Sequence, residues 1–271
     1  MFPASFDYAK ATSVSDAVAA LSSVEDAKLL AGGHSLLPLM KLRLATPALL
    51  VDISALKELS YIEDKGDYVA IGALTRHHDI QNSRLLRSSV PILPYVASQV
   101  GDPQVRHRGT IGGSISHGDG ASDLPAAVLA LDARLVAVGP RGERVIPATE
   151  FFVGFLETVL SPDEILTEIR VSKFSGGWSF QKFNRRAQDW AIVGVAAVNN
   201  GGTKVSLVNM GPTPLRASHV EEALAEGASI QVASEKVSEG LNPPADLNAS
   251  SEYRMHLAQV LVKRALAETL K

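Results

Sequence analysis

The 271-residue chain contains no cysteine. Disulfides are excluded, and with them any sign of an oxidising compartment. Thiolate-ligated iron–sulfur clusters and cysteine-type zinc sites are excluded from this chain too. Any electrons it handles pass without a cluster of its own. Aromatic residues make up only 6%, the net charge is −3, and no basic stripe is interleaved with aromatics. That composition argues against nucleic-acid binding. No apolar run approaches the length of a membrane-spanning helix. The start, Met1-Phe2-Pro3-Ala4-Ser5-Phe6-Asp7, lacks the basic head and apolar core of a signal peptide. These absences read as a cytoplasmic protein. Also missing are G-x-G-x-x-G, G-x-x-x-x-G-K-S/T, and any acid–base pair or nucleophile with convincing spacing.

Two glycine-rich motifs stand out instead: Ala31-Gly32-Gly33-His34-Ser35 and Thr110-Ile111-Gly112-Gly113-Ser114. Glycine lets backbone N–H groups approach a phosphate closely and tolerates φ > 0. Two such turns suggest one extended ligand held from two sides, and a diphosphate-bearing dinucleotide suits that geometry.

The hydrophobic fraction of 46% fits a globular chain of one large or two ordinary domains. Ser13 with Asp16 reads as a capping box, and Val14, Ala17, Val18 and Leu21 fall at helical spacing. Residues 28–31 read as a strand entering the first glycine turn, 36–42 as a helix with Pro38 in its first turn, and 49–53 as a strand. Residues 1–55 thus form a β-α-β-like unit, and a turn leading into a helix N-terminus makes an anion site. Further strands are expected at 68–73, 134–138 and 164–171, and helices at 91–100 and 124–131. Thr75 is expected to cap a helix. Gly139-Pro140-Arg141-Gly142 predicts a hairpin. After a boundary at Ser175-Gly176-Gly177, Trp178 to Phe183 alternates as a half-buried strand should. Residues 191–198 and 204–209 flank the hairpin signal Asn199-Asn200-Gly201-Gly202. Helices are expected near 219–225, 234–240 and 253–270.

Both glycine motifs resemble loops of one family. Ala31 to Pro38, with Lys41 and Arg43, resembles the first flavin loop of the medium subunits of molybdenum hydroxylases, the carbon monoxide dehydrogenase and xanthine dehydrogenase relatives. Gly109 to His117, with Asp123-Leu124-Pro125, resembles the second. Lys182 to Ala191 resembles a third stretch, and the likeness extends over essentially the whole chain. It implies an α+β fold: a two-subdomain FAD-binding domain of the vanillyl-alcohol-oxidase (PCMH) type over 1–175, divided into 1–55 and 56–175, then a small C-terminal α+β domain with an antiparallel sheet over 176–271. It further implies noncovalent FAD, a large molybdopterin subunit, a small subunit with two 2Fe-2S clusters, and a dimer of heterotrimers. Electrons would reach FAD from those clusters and leave to NAD or a quinone. The four-iron cluster that some relatives carry in this subunit needs cysteines that are absent here.

For the FAD site the expectation is backbone contact from Ala31, Gly32, Gly33, His34, Ser35 and Leu36, with His34 either facing the ligand or capping the next helix. Thr110, Ile111, Gly112, Gly113 and Ser114 form the second contact, with His117 beyond; the plain alternative is a bulge or corner. Asp123 contacts FAD hydroxyls or serves as an N-cap. Val100 and Leu166 touch the rings or simply pack. Lys182 either sits near reduced flavin or faces solvent. Trp190 either stacks near the isoalloxazine or packs in the smaller domain. Arg185 and Arg186 read as interdomain or interface salt-bridge formers. The histidines and acids at 77, 78, 117, 119 and 123 converge too poorly for a metal site. Two other function classes compete: a non-catalytic assembly module bridging partner subunits, and a stand-alone flavin oxidoreductase.

Overall fold

The computed structural model describes residues 2–271. Its first unit holds β1 (Asp7–Lys10), α1 (Val14–Ser23), β2 (Lys28–Leu30), α2 (Leu36–Lys41) and β3 (Leu49–Asp52). The strands form a parallel sheet in the order β1-β3-β2. Helix α1 starts where its cap dictates: Ser13 Oγ accepts from Asp16 N–H at 3.1 Å. Asp16 reaches back one residue further than a standard capping box, to Thr12 N–H at 2.8 Å. Ala17, Val18 and Leu21 bury their shared face with Leu49, Val51 and Ile53.

The second unit runs β4 (Ile62–Asp64), β5 (Tyr68–Gly72), α3 (His77–Asn82), α4 (Arg84–Ser89), α5 (Ile92–Ser98), α6 (Pro103–Arg108), α7 (Ile111–His117) and α8 (Asp123–Ala130). It continues through β6 (Arg134–Gly139), β7 (Gly142–Pro147), β8 (Phe152–Gly154), β9 (Glu157–Thr158) and β10 (Ile165–Ser172). Its main sheet is antiparallel, in the order β4-β5-β10-β6-β7. The Gly139–Gly142 hairpin forms as expected.

After Ser175-Gly176-Gly177 come β11 (Trp178–Phe183), β12 (Val193–Asn199), β13 (Thr203–Val208), β14 (Leu215–Arg216), α9 (Ser218–Ala225), α10 (Ile230–Glu235) and α11 (Ser251–Thr269). This is an antiparallel sheet covered on one face by helices, the α+β arrangement expected. Its other face packs on the second unit: Ala196, Val198 and Val208 join one core with Leu124, Ala127 and Val128 of α8. Every residue of α8 is buried, and Ser206 Oγ donates to Ala126 O at 2.5 Å. The helix is enclosed between that sheet and helices α5 and α7.

Three local expectations are corrected. The second glycine motif is not a turn: Thr110 caps α7, and its glycines lie in the first helical turn. Thr75 caps nothing; Arg76 precedes α3, and the Thr75 hydroxyl donates to Tyr61 O at 2.9 Å. The helix expected at 234–240 lies earlier, as α10 plus a short 3-10 turn at Lys236–Ser238. Elements β1, β4, α4, α6, β8, β9 and β14 carried too few periodic residues to be predicted.

Candidate functional site

A cavity of about 680 Å³ lies where the three units meet, within the usual range for a small-molecule site. It is built from the turn after β2, the start of α2, His77, the α5–α6 connection, α7, the start of α8 and β10. The last unit closes it with Lys182, Gln188, Asp189 and Trp190. All expected site residues line it except Ile111, which is wholly buried in the core and whose N–H donates to Thr75 O at 3.1 Å. Its β-branched apolar side chain belongs under α7.

The first motif behaves as an anion cradle should. Gly33 takes φ +80°, and a Cβ there would meet Leu37 Cδ1 at 2.9 Å. The N–H groups of Gly32, Gly33, His34, Ser35 and Leu36 have no acceptor among the described residues. Such a row of free donors at a helix start is an unmet demand for negative charge. Ser35 occupies the N-cap without a side-chain cap bond, so the capping alternative for His34 falls; His34 is exposed and lines the cavity.

The second motif differs from expectation. From Ile111 onward its amides are engaged: Gly112 N–H to Ala73 O at 2.8 Å, Gly113 N–H to the Thr110 hydroxyl at 3.1 Å, and Ser114 N–H to Thr110 O at 3.0 Å, so only Thr110 N–H is left without an acceptor among the described residues. Its glycines serve close packing instead. A Cβ on Gly112 would strike Ala73, and one on Gly113 would sit 2.7 Å from Thr110 Oγ1. What this motif offers the cavity are the hydroxyls of Ser114 and, unforeseen, Ser116. The two motifs touch directly. A Cβ on Gly32 would strike the Arg108 carbonyl and come within 3.0 Å of Gly109 Cα.

Asp123 is not an N-cap; Ser122 holds that position. Asp123 Oδ2 accepts from Lys182 Nζ at 2.6 Å, with side chains only 6% and 7% exposed. Asp123 Oδ1 is buried without a partner. Burial pushes this carboxyl up to about 6, and the adjacent Lys182 ammonium only partly offsets that. The solvent-facing reading of Lys182 is therefore wrong. Lys182 also donates to Gln99 O at 3.0 Å, which leaves one of its three N–H groups free.

Trp190 is 59% exposed at the cavity mouth, which excludes the packed alternative. The chain that follows it is clamped: Asn209 Nδ2 donates to Ala191 O at 2.7 Å, and the fully buried Arg254 donates to Ile192 O. Arg186 pairs only with Asp189 at 3.0 Å within the same loop, and Arg185 donates to Asn248 Oδ1 at 3.3 Å. Neither is an interdomain bridge. Val100 and Leu166 both line the cavity and pack on the core. His117 lines it too, and burial lowers its pKa despite Asp119. No group of three potential metal ligands converges among the described residues.

The chief omission from the sequence reading is His77. It lines the cavity, is buried, and has an unpartnered Nδ1. Only its place just after an apolar strand marked it in the sequence.

Residues 4–173 match the family described as the FAD binding domain in molybdopterin dehydrogenase. Residues 178–269 match the CO dehydrogenase flavoprotein C-terminal domain. The carbon monoxide dehydrogenase medium chain of Hydrogenophaga pseudoflava is 41% identical, covering 98% of this chain and 97% of the relative. The 6-hydroxypseudooxynicotine dehydrogenase complex subunit alpha of Paenarthrobacter nicotinovorans is 36% identical over 100% of this chain and 96% of the relative. Among solved structures, carbon monoxide dehydrogenase from Hydrogenophaga pseudoflava lacking the Mo-pyranopterin moiety superposes with a TM-score of 0.96 at 42% identity. That match covers 100% of this chain and 99% of that one.

Proposed function

This chain belongs to the family of FAD-binding medium subunits of molybdenum hydroxylases, and we propose that it carries electrons from the iron–sulfur clusters of a small partner subunit to an external acceptor, NAD or a quinone. A large molybdopterin subunit completes the assembly, as a dimer of heterotrimers. The redox chemistry at the cavity is that of bound FAD; the chain's residues bind, orient and screen it.

The residues present fit that group. The free amides of Gly32 to Leu36 receive the diphosphate, and Ser114 and Ser116 face it from the other motif. The orphaned Asp123 Oδ1 accepts a hydroxyl of the ribityl or ribose portion, the partner its burial lacks. Val100 and Leu166 supply apolar walls. The remaining N–H of Lys182 is directed to the flavin region, and Trp190 screens the mouth from water. The division at 175/176, and at 55/56 within the first domain, is part of this proposal. It is supported by separate apolar clusters around Val51 and around Leu261. FAD is held noncovalently, so acid precipitation releases it to the supernatant.

The observation that carries the reading is the row of unpaired amides opposite an orphaned, buried carboxylate oxygen in one cavity. The same row argues against a bridging module that has lost its cofactor. The test is a visible spectrum of the complex captured with this chain as bait. Flavin and iron–sulfur bands, with one large and one small partner on a gel, are expected. A colourless capture that does not quench added FAD overturns the proposal.

A further inference from the structure

His77 is the only fully buried histidine among the described residues. Its ring lies behind the junction of the two glycine motifs: a Cβ on Gly109 would approach its Nε2 to 2.7 Å, and Gly32 rests on Gly109 in turn. The His77 backbone N–H donates to Gly109 O at 3.1 Å, and ring Nδ1 has no partner. The charges acting on the ring are Arg76 from its own segment, His34 from the first motif and Arg106 from α6. No carboxylate is among them; Asp79, on α3, acts on Arg76 instead. A buried imidazole beside an amide cradle, with Arg76 and Arg106 bearing on it, is an arrangement completed by an anion.

We infer that His77 is the side-chain member of the diphosphate cradle, taking up a proton from solvent as the dinucleotide binds and holding that charge against the diphosphate. This rests on the FAD reading given above. Burial and the cationic neighbours keep the free ring neutral, down to about 4. Two negative charges entering the cradle reverse that field and favour the imidazolium. FAD binding is then proton-linked, tightening as pH falls.

The experiment is calorimetric titration of the deflavinated complex with FAD, in two buffers of different ionisation enthalpy, between about pH 5 and 7. The expected result is uptake approaching one proton at the acid end, with FAD affinity weakening up to about tenfold per pH unit. His77→Asn abolishes the uptake and flattens the affinity profile while still binding FAD at the alkaline end. Because Asp123 titrates nearby, only the part of the uptake that His77→Asn removes is assigned to His77. Should His77→Asn fail to fold, the ring carbon shifts of wild-type histidines give the answer: His77 titrates upward with FAD and near 4 without it. FAD binding without proton uptake, an unmoved His77 titration, or undiminished uptake in folded His77→Asn overturns the inference. Absence of FAD binding at any pH overturns the FAD reading itself, and the inference with it.

Discussion

At the scale of single residues, Gly33 is the position where the backbone itself decides. Its φ of +80° strains any other residue, and Leu37 blocks a side chain at 2.9 Å. Gly33→Val is expected to cost about 2 kcal/mol in local strain and to displace the free amides. The flavin-to-protein ratio should fall severalfold while circular dichroism stays native. Full retention of flavin would contradict the cradle. His77 and Asp123 titrate in opposite senses. The His77 pKa is lowered to about 4 from 6.5, so the unfolded chain takes the proton first as pH falls. Acidification from about 6.5 to about 4 therefore erodes stability through this group, by about 3 kcal/mol when complete. The Asp123 pKa is raised to about 6 from 3.8, so the folded chain takes the proton first, and stability through this group rises over much the same span. The two trends nearly cancel. Urea midpoints should fall more steeply toward acid in Asp123→Asn than in wild type, and less steeply in His77→Asn. Parallel curves would contradict the assignment.

At the scale of elements, the sequence was most legible where period and punctuation agree. The strands at 68–72, 134–139 and 178–183, the two hairpins and the C-terminal helix all follow from alternation, glycine turns or a sustained helical face. It was least legible where a short element depends on tertiary contact. The second motif is helical because Thr110 caps it and Ala73 accepts its Gly112 amide, both invisible to local reading. Residue types and order exposed the candidate site, but not which amides stay free. That depends on partners far apart in sequence, such as Ala73 for Gly112. For the same reason Asp123 looked like a cap; its true partner, Lys182, comes from another sheet. Arg254 illustrates how one element steadies another. It is buried in α11 and holds the carbonyls of Ile192 and Asn209, with Asp246 at 2.8 Å. Arg254→Met should destabilise the fold by about 3 kcal/mol, because three acceptors lose a charged donor. Thermal unfolding would register this, and Trp190 fluorescence should change with it. An unchanged melting temperature would sink the claim.

At the scale of the whole molecule, the Asp123–Lys182 pair ties the last unit to the rest across a buried junction. Lys182→Met strands the carboxylate, and a loss of about 3–5 kcal/mol is expected at neutral pH. Protonating Asp123 relieves the stranded charge, so the deficit should shrink as pH falls. A double-mutant cycle with Asp123→Asn should show coupling above about 1 kcal/mol; additivity would mean that the pair contributes nothing.

The burial of α8 against the last unit's sheet also has a meaning in time. A ribosome makes both glycine motifs and α8 before it reaches Lys182 and Trp190, and long before the helices at 218–269 that complete the last unit. Until then α8 has a bare flank, Asp123 has no counter-charge, and the cavity lacks a wall. Units fold as they emerge, so the free amides of the first motif are in place before the cavity is walled in. The wall that Lys182 and Trp190 supply is therefore the last part of the cavity to be made.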